Sequence, residues 1–160
     1  MSIAEPGAPA PEFTLGTEDG GTFTRSDLEG RTTVLVFYPS AFSPVCTDQL
    51  SLYEEVGDEL AARGATLYAV SCDSSDAQRA FREKLGVTIP QLSDFEPKGA
   101  ACRAFGVYHP GGVAQRALVI VGPDGIVTWS HEAENPGVLP GANLIFDGLA
   151  ASERLARSAS

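Results

Sequence analysis

Basic residues are scarce in this chain: 11 Lys and Arg stand against 21 Asp and Glu, a net charge of −10. A phosphate backbone is normally met by clustered Lys and Arg, and neither a basic stripe nor a run of like charge occurs, which excludes nucleic acid as an expected partner. Long apolar runs are missing as well. The longest clean ones, Val34 to Tyr38 and Ala117 to Val121, fall far short of the roughly twenty residues that a membrane span needs. Met1 to Phe13 carries Glu5, Glu12 and three prolines, and lacks both the basic start and the apolar segment of a secretory signal. The expectation is a soluble cytoplasmic protein without a membrane partner. Cysteine is limited to Cys46, Cys72 and Cys102, with no C-x-x-C, so neither a disulfide framework nor a thioredoxin-type reductase motif is present. Only His109 and His131 could join a metal site, and neither stands at ligand spacing from a cysteine pair; no metal and no cofactor are expected.

What remains is enough for a core. At 160 residues and 43% hydrophobic composition the chain suits one domain, residues 1–160. Thr33 to Tyr38 is a short β-rich run bounded by polar residues and proline, as expected of a strand covered on both faces. After the loop Pro39–Ser43 the period changes: from Pro44 onward Leu52, Tyr53, Val56 and Leu60 recur at helical spacing until Gly64. Ala65 to Ser71 reads as a second buried strand. Ser74 to Leu85, capped by Asp73 or Ser74 and ended at Gly86, reads as a second helix. Two successive β-α units predict parallel strands with right-handed crossovers. Lys98 to Phe105 suits a short helix, and Ala117–Val121 and Ile126–Trp129 flank the hairpin turn Pro123-Asp124-Gly125. Gly141 to Ala156 carries Leu144, Ile145, Leu149 and Leu155 in the pattern of a closing helix, against which Gly148 counts, and Ser158 to Ser160 looks dispensable. This order is that of an α/β protein with a thioredoxin-like fold, a central mixed sheet with flanking helices.

Ser43-Pro44 is a strong helix opening. Serine supplies an N-cap oxygen, and proline fits the first helical position because its missing N–H would be unpaired there. Cys46 is then the third residue of the helix, facing unpaired N–H donors and the positive end of the dipole, which favour thiolate over thiol. The other reading is plain burial, since free cysteine is often a small core residue.

Pro39-Ser-Ala-Phe-Ser43-Pro-Val-Cys46 resembles the peroxiredoxin active-site pattern Pro-x-x-x-(Thr/Ser)-x-x-Cys, placed after a core strand as in that family. Ala10 to Leu15 is similar to the family's first strand and Leu92-Ser-Asp94 to a later strand end, while Arg116 stands before the hairpin strand, where the family carries an arginine. The resemblance covers about Pro9 to Trp129. The stretch Leu92 to Ala100 is most similar to the bacterial alkyl hydroperoxide reductase E-type branch, with the Q-type, bacterioferritin comigratory branch second.

The resemblance implies a thiol peroxidase acting on hydrogen peroxide and organic hydroperoxides. Cys46 would attack the terminal oxygen and become a sulfenic acid. Arg116 would hold the thiolate and stabilise charge on the leaving oxygen, although an arginine beside a strand is usually solvated. The Ser43 hydroxyl would bind the peroxide, or serve only as the cap, or do both in turn. Pro39 would shape the loop and shield the pocket. Gln49, three residues after Cys46, would anchor Arg116 through its amide oxygen, or lie solvated at the surface. Two positions depart from the family: Ser43 stands where threonine is usual, and Gln49 replaces an acid common in several branches.

No cysteine follows Cys46 within the next helical turns. Cys72 and Cys102 could each reach it after local unwinding, or be simply buried. The expectation is a one-cysteine mechanism completed by an outside thiol, either a small thiol or a glutaredoxin-like or thioredoxin-like protein. A homodimer is implied by resemblance alone. The rival reading is a redox sensor or holdase without significant turnover.

Overall fold

The computed structural model describes residues 3–134 and 140–159, with side chains of the last helix described as far as residue 154. The chain opens with β1 (Thr14–Thr17) and β2 (Thr22–Thr24), an antiparallel pair, followed by a short 3-10 turn at Arg25–Leu28. Next come β3 (Thr32–Phe37), α1 (Pro44–Glu55) and α2 (Gly57–Ala62). Then β4 (Ala65–Ser71), α3 (Ser75–Leu85), β5 (Gln91–Ser93) and α4 (Ala100–Ala104) follow. A two-stranded ribbon, β6 (Tyr108–His109) with β7 (Val113–Ala114), precedes the hairpin β8 (Ala117–Val121) and β9 (Val127–Glu132) and the closing helix α5 (Ala142–Ala159).

Seven strands form one mixed sheet in the order β2-β1-β5-β4-β3-β8-β9. The expected parallel core is present: β3 pairs with β4 from Thr32↔Ala65 to Phe37↔Val70, and β4 pairs with β5. β8 lies antiparallel on the other side of β3, with Val36 opposite Leu118.

Alternation along β3 sorts its side chains to the two faces. Val34, Val36 and Tyr38 join the layer under α1, α3 and α5, with Leu50, Tyr53, Phe81 and Ile145. Leu35 and Phe37 join the opposite layer, with Phe13, Leu92, Cys102 and Phe105. Both layers are fully buried at β3, as its unbroken apolar sequence requires.

The local signals explain most element ends. Ser74 caps α3, its hydroxyl accepting the Ala77 N–H at 3.2 Å, and Gly86 closes it in the left-handed region at φ 71°. Gly148 belongs where it is: a Cβ there would stand 2.6 Å from the Trp129 ring, so its absence lets α5 lie on β9. The helix predicted from Pro44 to Gly64 is interrupted at Val56, whose backbone leaves helical geometry immediately before Gly57, a poor helix former. The strand expected from Ala10 begins only at Thr14; upstream, Pro9 makes an isolated bridge to Ile126. α5 runs on to Ala159, past the predicted end at Ala156, while the Leu155 side chain and Ser160 lie outside the described residues. The β6–β7 ribbon was not anticipated.

Candidate active site

β3 ends at Phe37, and Pro39 to Ser43 carries the chain over the carboxyl end of the sheet into α1. Two contacts fix this loop. The Asp73 carboxylate accepts the Ala41 N–H at 2.8 Å, tying the loop to the residue pair that follows β4. Phe42 takes φ 68°, uncommon for a residue with a side chain, and its ring rests 5.2 Å from that of Phe81.

Ser43 is the N-cap of α1, its hydroxyl accepting the Cys46 N–H at 3.2 Å. Pro44 and Val45 then place Cys46 at the third helical position, where its Cβ points into the layer between helix and sheet. One face of α1 is buried: Cys46, Gln49, Leu50 and Tyr53, spaced three, four and seven residues from the cysteine.

Arg116, in the bend before β8, reaches this face from the adjoining strand. Its Nη2 donates to the Cys46 sulfur at 3.1 Å, and its Nη1 donates to Gln49 Oε1. The Gln49 amide donates in turn to the Tyr53 hydroxyl at 3.2 Å, and that hydroxyl donates to the Pro140 carbonyl at 2.6 Å. Cys46, Gln49 and Tyr53 are 0% exposed and Arg116 3%, so a charged guanidinium stands in a dry layer, where its field on the sulfur is little screened. Burial pushes the Tyr53 phenol up to about 12, against the lowering effects of Gln49 and Arg116, so it remains a donor.

The structure thus brings together Cys46, Arg116, Gln49 and Ser43, with Pro39 half-buried at the loop start. Neither Arg116 nor Gln49 is solvated, the second reading the sequence allowed for each. Cys72 and Cys102 are placed elsewhere: Cys46 packs in the layer with Leu50 and Tyr53, the other two in the layer with Phe37 and Phe105, across the sheet. Two contributors were missed. Tyr53 was counted only as an apolar residue, although its seven-residue spacing from Cys46 marks the same helical face. Asp73 carried a local signal only as a possible cap for α3. A cleft of about 690 Å³, lined by Thr32, Gly122, Thr128 and Ser152 among others, lies at the opposite end of β3 and contains none of these groups.

The AhpC/TSA family model matches residues 6–130. The chain belongs to the AhpC/TSA family. It is 32% identical over 147 residues to alkyl hydroperoxide reductase E of Mycobacterium tuberculosis, covering 91% of this chain and 95% of that one. To peroxiredoxin Bcp of Escherichia coli it is 32% identical over 108 residues, 68% of each chain. The crystal structure of Enterococcus faecalis AhpC matches with a TM-score of 0.84 at 26% identity, covering 98% of both chains. Both branches suggested by the sequence are represented among these peroxiredoxin relatives. The fold is thioredoxin-like and the chain is a thiol-dependent peroxidase, taking a peroxide substrate and a thiol reductant.

Proposed function

We propose that Cys46 is the peroxide-reacting sulfur and that Arg116, Ser43, Gln49 and Pro39 form its site. The observation that carries this reading is the 3.1 Å separation of the Arg116 guanidinium from the Cys46 sulfur. The thiolate attacks the terminal oxygen of the hydroperoxide; a sulfur–oxygen bond forms, the oxygen–oxygen bond breaks, and the leaving oxygen departs as alkoxide or hydroxide and takes a proton. The guanidinium pairs with the sulfur and, as charge moves outward, stabilises it on the leaving oxygen without changing its own protonation. Ser43 spends one lone pair on the helix cap; its O–H and second lone pair are suited to orient the incoming peroxide. Gln49 acts through Arg116, fixing the plane of the fork. Pro39 contributes shape, closing the loop over a sulfur that must stay dry.

A substrate thiol then attacks the sulfenic acid, forming a mixed disulfide and releasing water, and a second thiol frees Cys46 by exchange. Placement of Cys72 and Cys102 across the sheet supports an outside reductant, a small thiol or a glutaredoxin-like or thioredoxin-like protein. The name of the M. tuberculosis relative supports organic hydroperoxides as substrates beside hydrogen peroxide. A homodimer of one-domain chains in the cytoplasm completes the reading; among the described residues no helix is long and apolar enough to cross a membrane.

Stopped-flow mixing of reduced protein with peroxide, following Trp129 emission, tests this. Wild type gives a fast phase consuming one equivalent, and Cys46→Ser gives none. A fast phase surviving in Cys46→Ser, or a wild-type rate no greater than that of an ordinary thiolate, refutes it, the second result favouring a sensor.

A further inference from the structure

Two cysteines take no part in the site just described, yet they stand together. Cys72 directly follows β4 and Cys102 lies in α4, and their sulfurs and an Asp94 carboxylate oxygen are all within 4.8 Å of one another. All three residues are buried. Asp94 sets this geometry. Its Oδ1 accepts the Ala101 N–H at 3.0 Å and its Oδ2 the Cys102 N–H at 2.8 Å, pinning the start of α4 and with it the Cys102 side chain against Cys72.

The ligand count argues against a closed metal site. Zinc there takes four ligands, and among the described residues this group supplies three, two sulfurs and a carboxylate. Sulfurs no more than 4.8 Å apart must close to about 2 Å to bond.

We propose that Cys72 and Cys102 form a second redox centre, a dithiol that hydroperoxide converts to an internal disulfide independently of Cys46. The two sulfurs have different parts. A hydrogen bond from Cys102 lowers the Cys72 thiol, with burial opposing, while that same hydrogen bond and burial push Cys102 upward. Cys72 also keeps 5% of its surface exposed where Cys102 has none. Cys72 is therefore the attacking sulfur. Its thiolate takes the terminal peroxide oxygen, the oxygen–oxygen bond breaks, and the alkoxide leaves with the proton Cys72 gave up. The Cys102 sulfur then attacks the Cys72 sulfenic acid, its proton passing to the departing hydroxide, which leaves as water. Two thiols and one peroxide yield one disulfide, one alcohol and one water: two electrons in all.

The experiment uses reduced full-length Cys46→Ser protein, treated with excess hydrogen peroxide, quenched and unfolded. Thiol titration falls from two per chain to none, dithiothreitol restores both, and peptide mapping finds the segment around Cys72 joined to that around Cys102 at a mass two hydrogens below their sum. With Cys102→Ser added, Cys72 stops at a sulfenic acid that dimedone traps in one equivalent. Wild-type protein mapped in parallel gives the same crosslink, which guards against a folding defect of the variant. Persistence of both thiols, sulfinic acids on each without a crosslink, a crosslink only between chains, or stoichiometric zinc that Cys72→Ser loses would each overturn the proposal.

Discussion

The Cys46 sulfur and the Arg116 guanidinium are 3.1 Å apart although 70 residues separate them, one in the first turn of α1 and the other in the bend before β8. The pair exists because β3 delivers the helix and β8, hydrogen-bonded beside it, delivers the arginine to the same end of the sheet. Removing the fork while keeping bulk, as in Arg116→Met, should lower the second-order rate with peroxide by about 10²–10³, the usual effect of losing one preorganised donor at a developing anion. Arg116→Lys should recover only part, since an ammonium keeps charge but loses the two-pronged geometry. Single-turnover rates decide; an unchanged rate in Arg116→Met removes the arginine from the reaction.

Gln49 is held between Arg116 and Tyr53, and on the proposed reading it positions the guanidinium. Gln49→Leu leaves the guanidinium without that acceptor, and we expect about a tenfold slower peroxide step, roughly 1.4 kcal/mol, in the range of one net hydrogen bond. Gln49→Glu, which retains an acceptor, should restore the rate. The discriminating measurement is the second step: reaction of the sulfenic acid with added thiol should be unaltered in both variants, whereas general misfolding would slow both.

Ser43 caps α1, and on the proposed reading it also orients the peroxide; substitution separates the two. Ser43→Ala loses the helix cap, costing about 1 kcal/mol in urea unfolding, and also loses the hydroxyl proposed to orient the peroxide, so the rate should fall. Ser43→Thr keeps both functions and stiffens the rotamer, and its rate should equal or exceed wild type. If the alanine variant is less stable but reacts at full speed, the hydroxyl is a cap alone.

Much of this was legible because local and global signals agree. Short unbroken apolar runs alternating with period-3.6 segments pointed to the parallel core, and Ser43-Pro44 alone placed Cys46 at the third helical position. The break at Val56 was not visible because apolar spacing continues through it to Leu60, while the β6–β7 ribbon involves two residues per strand, too few to show a period. Long-range side-chain pairing was the least legible. That Asp73 holds Ala41, or that Asp94 sets Cys102 against Cys72, depends on strand order, which no local window contains.

Gly148 shows how a residue unfavourable for its element can still be required. Alanine there gains helix propensity by about 1 kcal/mol, but its methyl would meet the Trp129 ring at 2.6 Å and Ile120 Cδ1 at 2.8 Å. Both neighbours would have to give way: Ile120 is fully buried, and the indole is stacked on His131. Overpacking of this kind costs about 1–3 kcal/mol, so Gly148→Ala should be net destabilised, by up to about 2 kcal/mol in chemical unfolding, with altered tryptophan emission.

Alkaline pH should weaken the fold through the same hydroxyl that supports Gln49. Burial raises Tyr53 to about 12 and also raises Tyr38, whose hydroxyl donates to Gln91 at 2.7 Å, whereas an unfolded tyrosine titrates near 10. A group with its folded value raised binds its proton more tightly in the native state. Its contribution is therefore complete below about pH 10 and lost as pH climbs from 10 through 12. For Tyr53 the shift corresponds to about 2–3 kcal/mol at full development. Urea midpoints measured at pH 9 and pH 11 under reducing conditions should fall for wild type. They should fall less for Tyr53→Phe, which starts lower because the Pro140 carbonyl has lost its donor. Equal slopes in the two proteins would show that Tyr53 is not a buried donor, and with it the chain of hydrogen bonds from Pro140 to Arg116 would have to be redrawn.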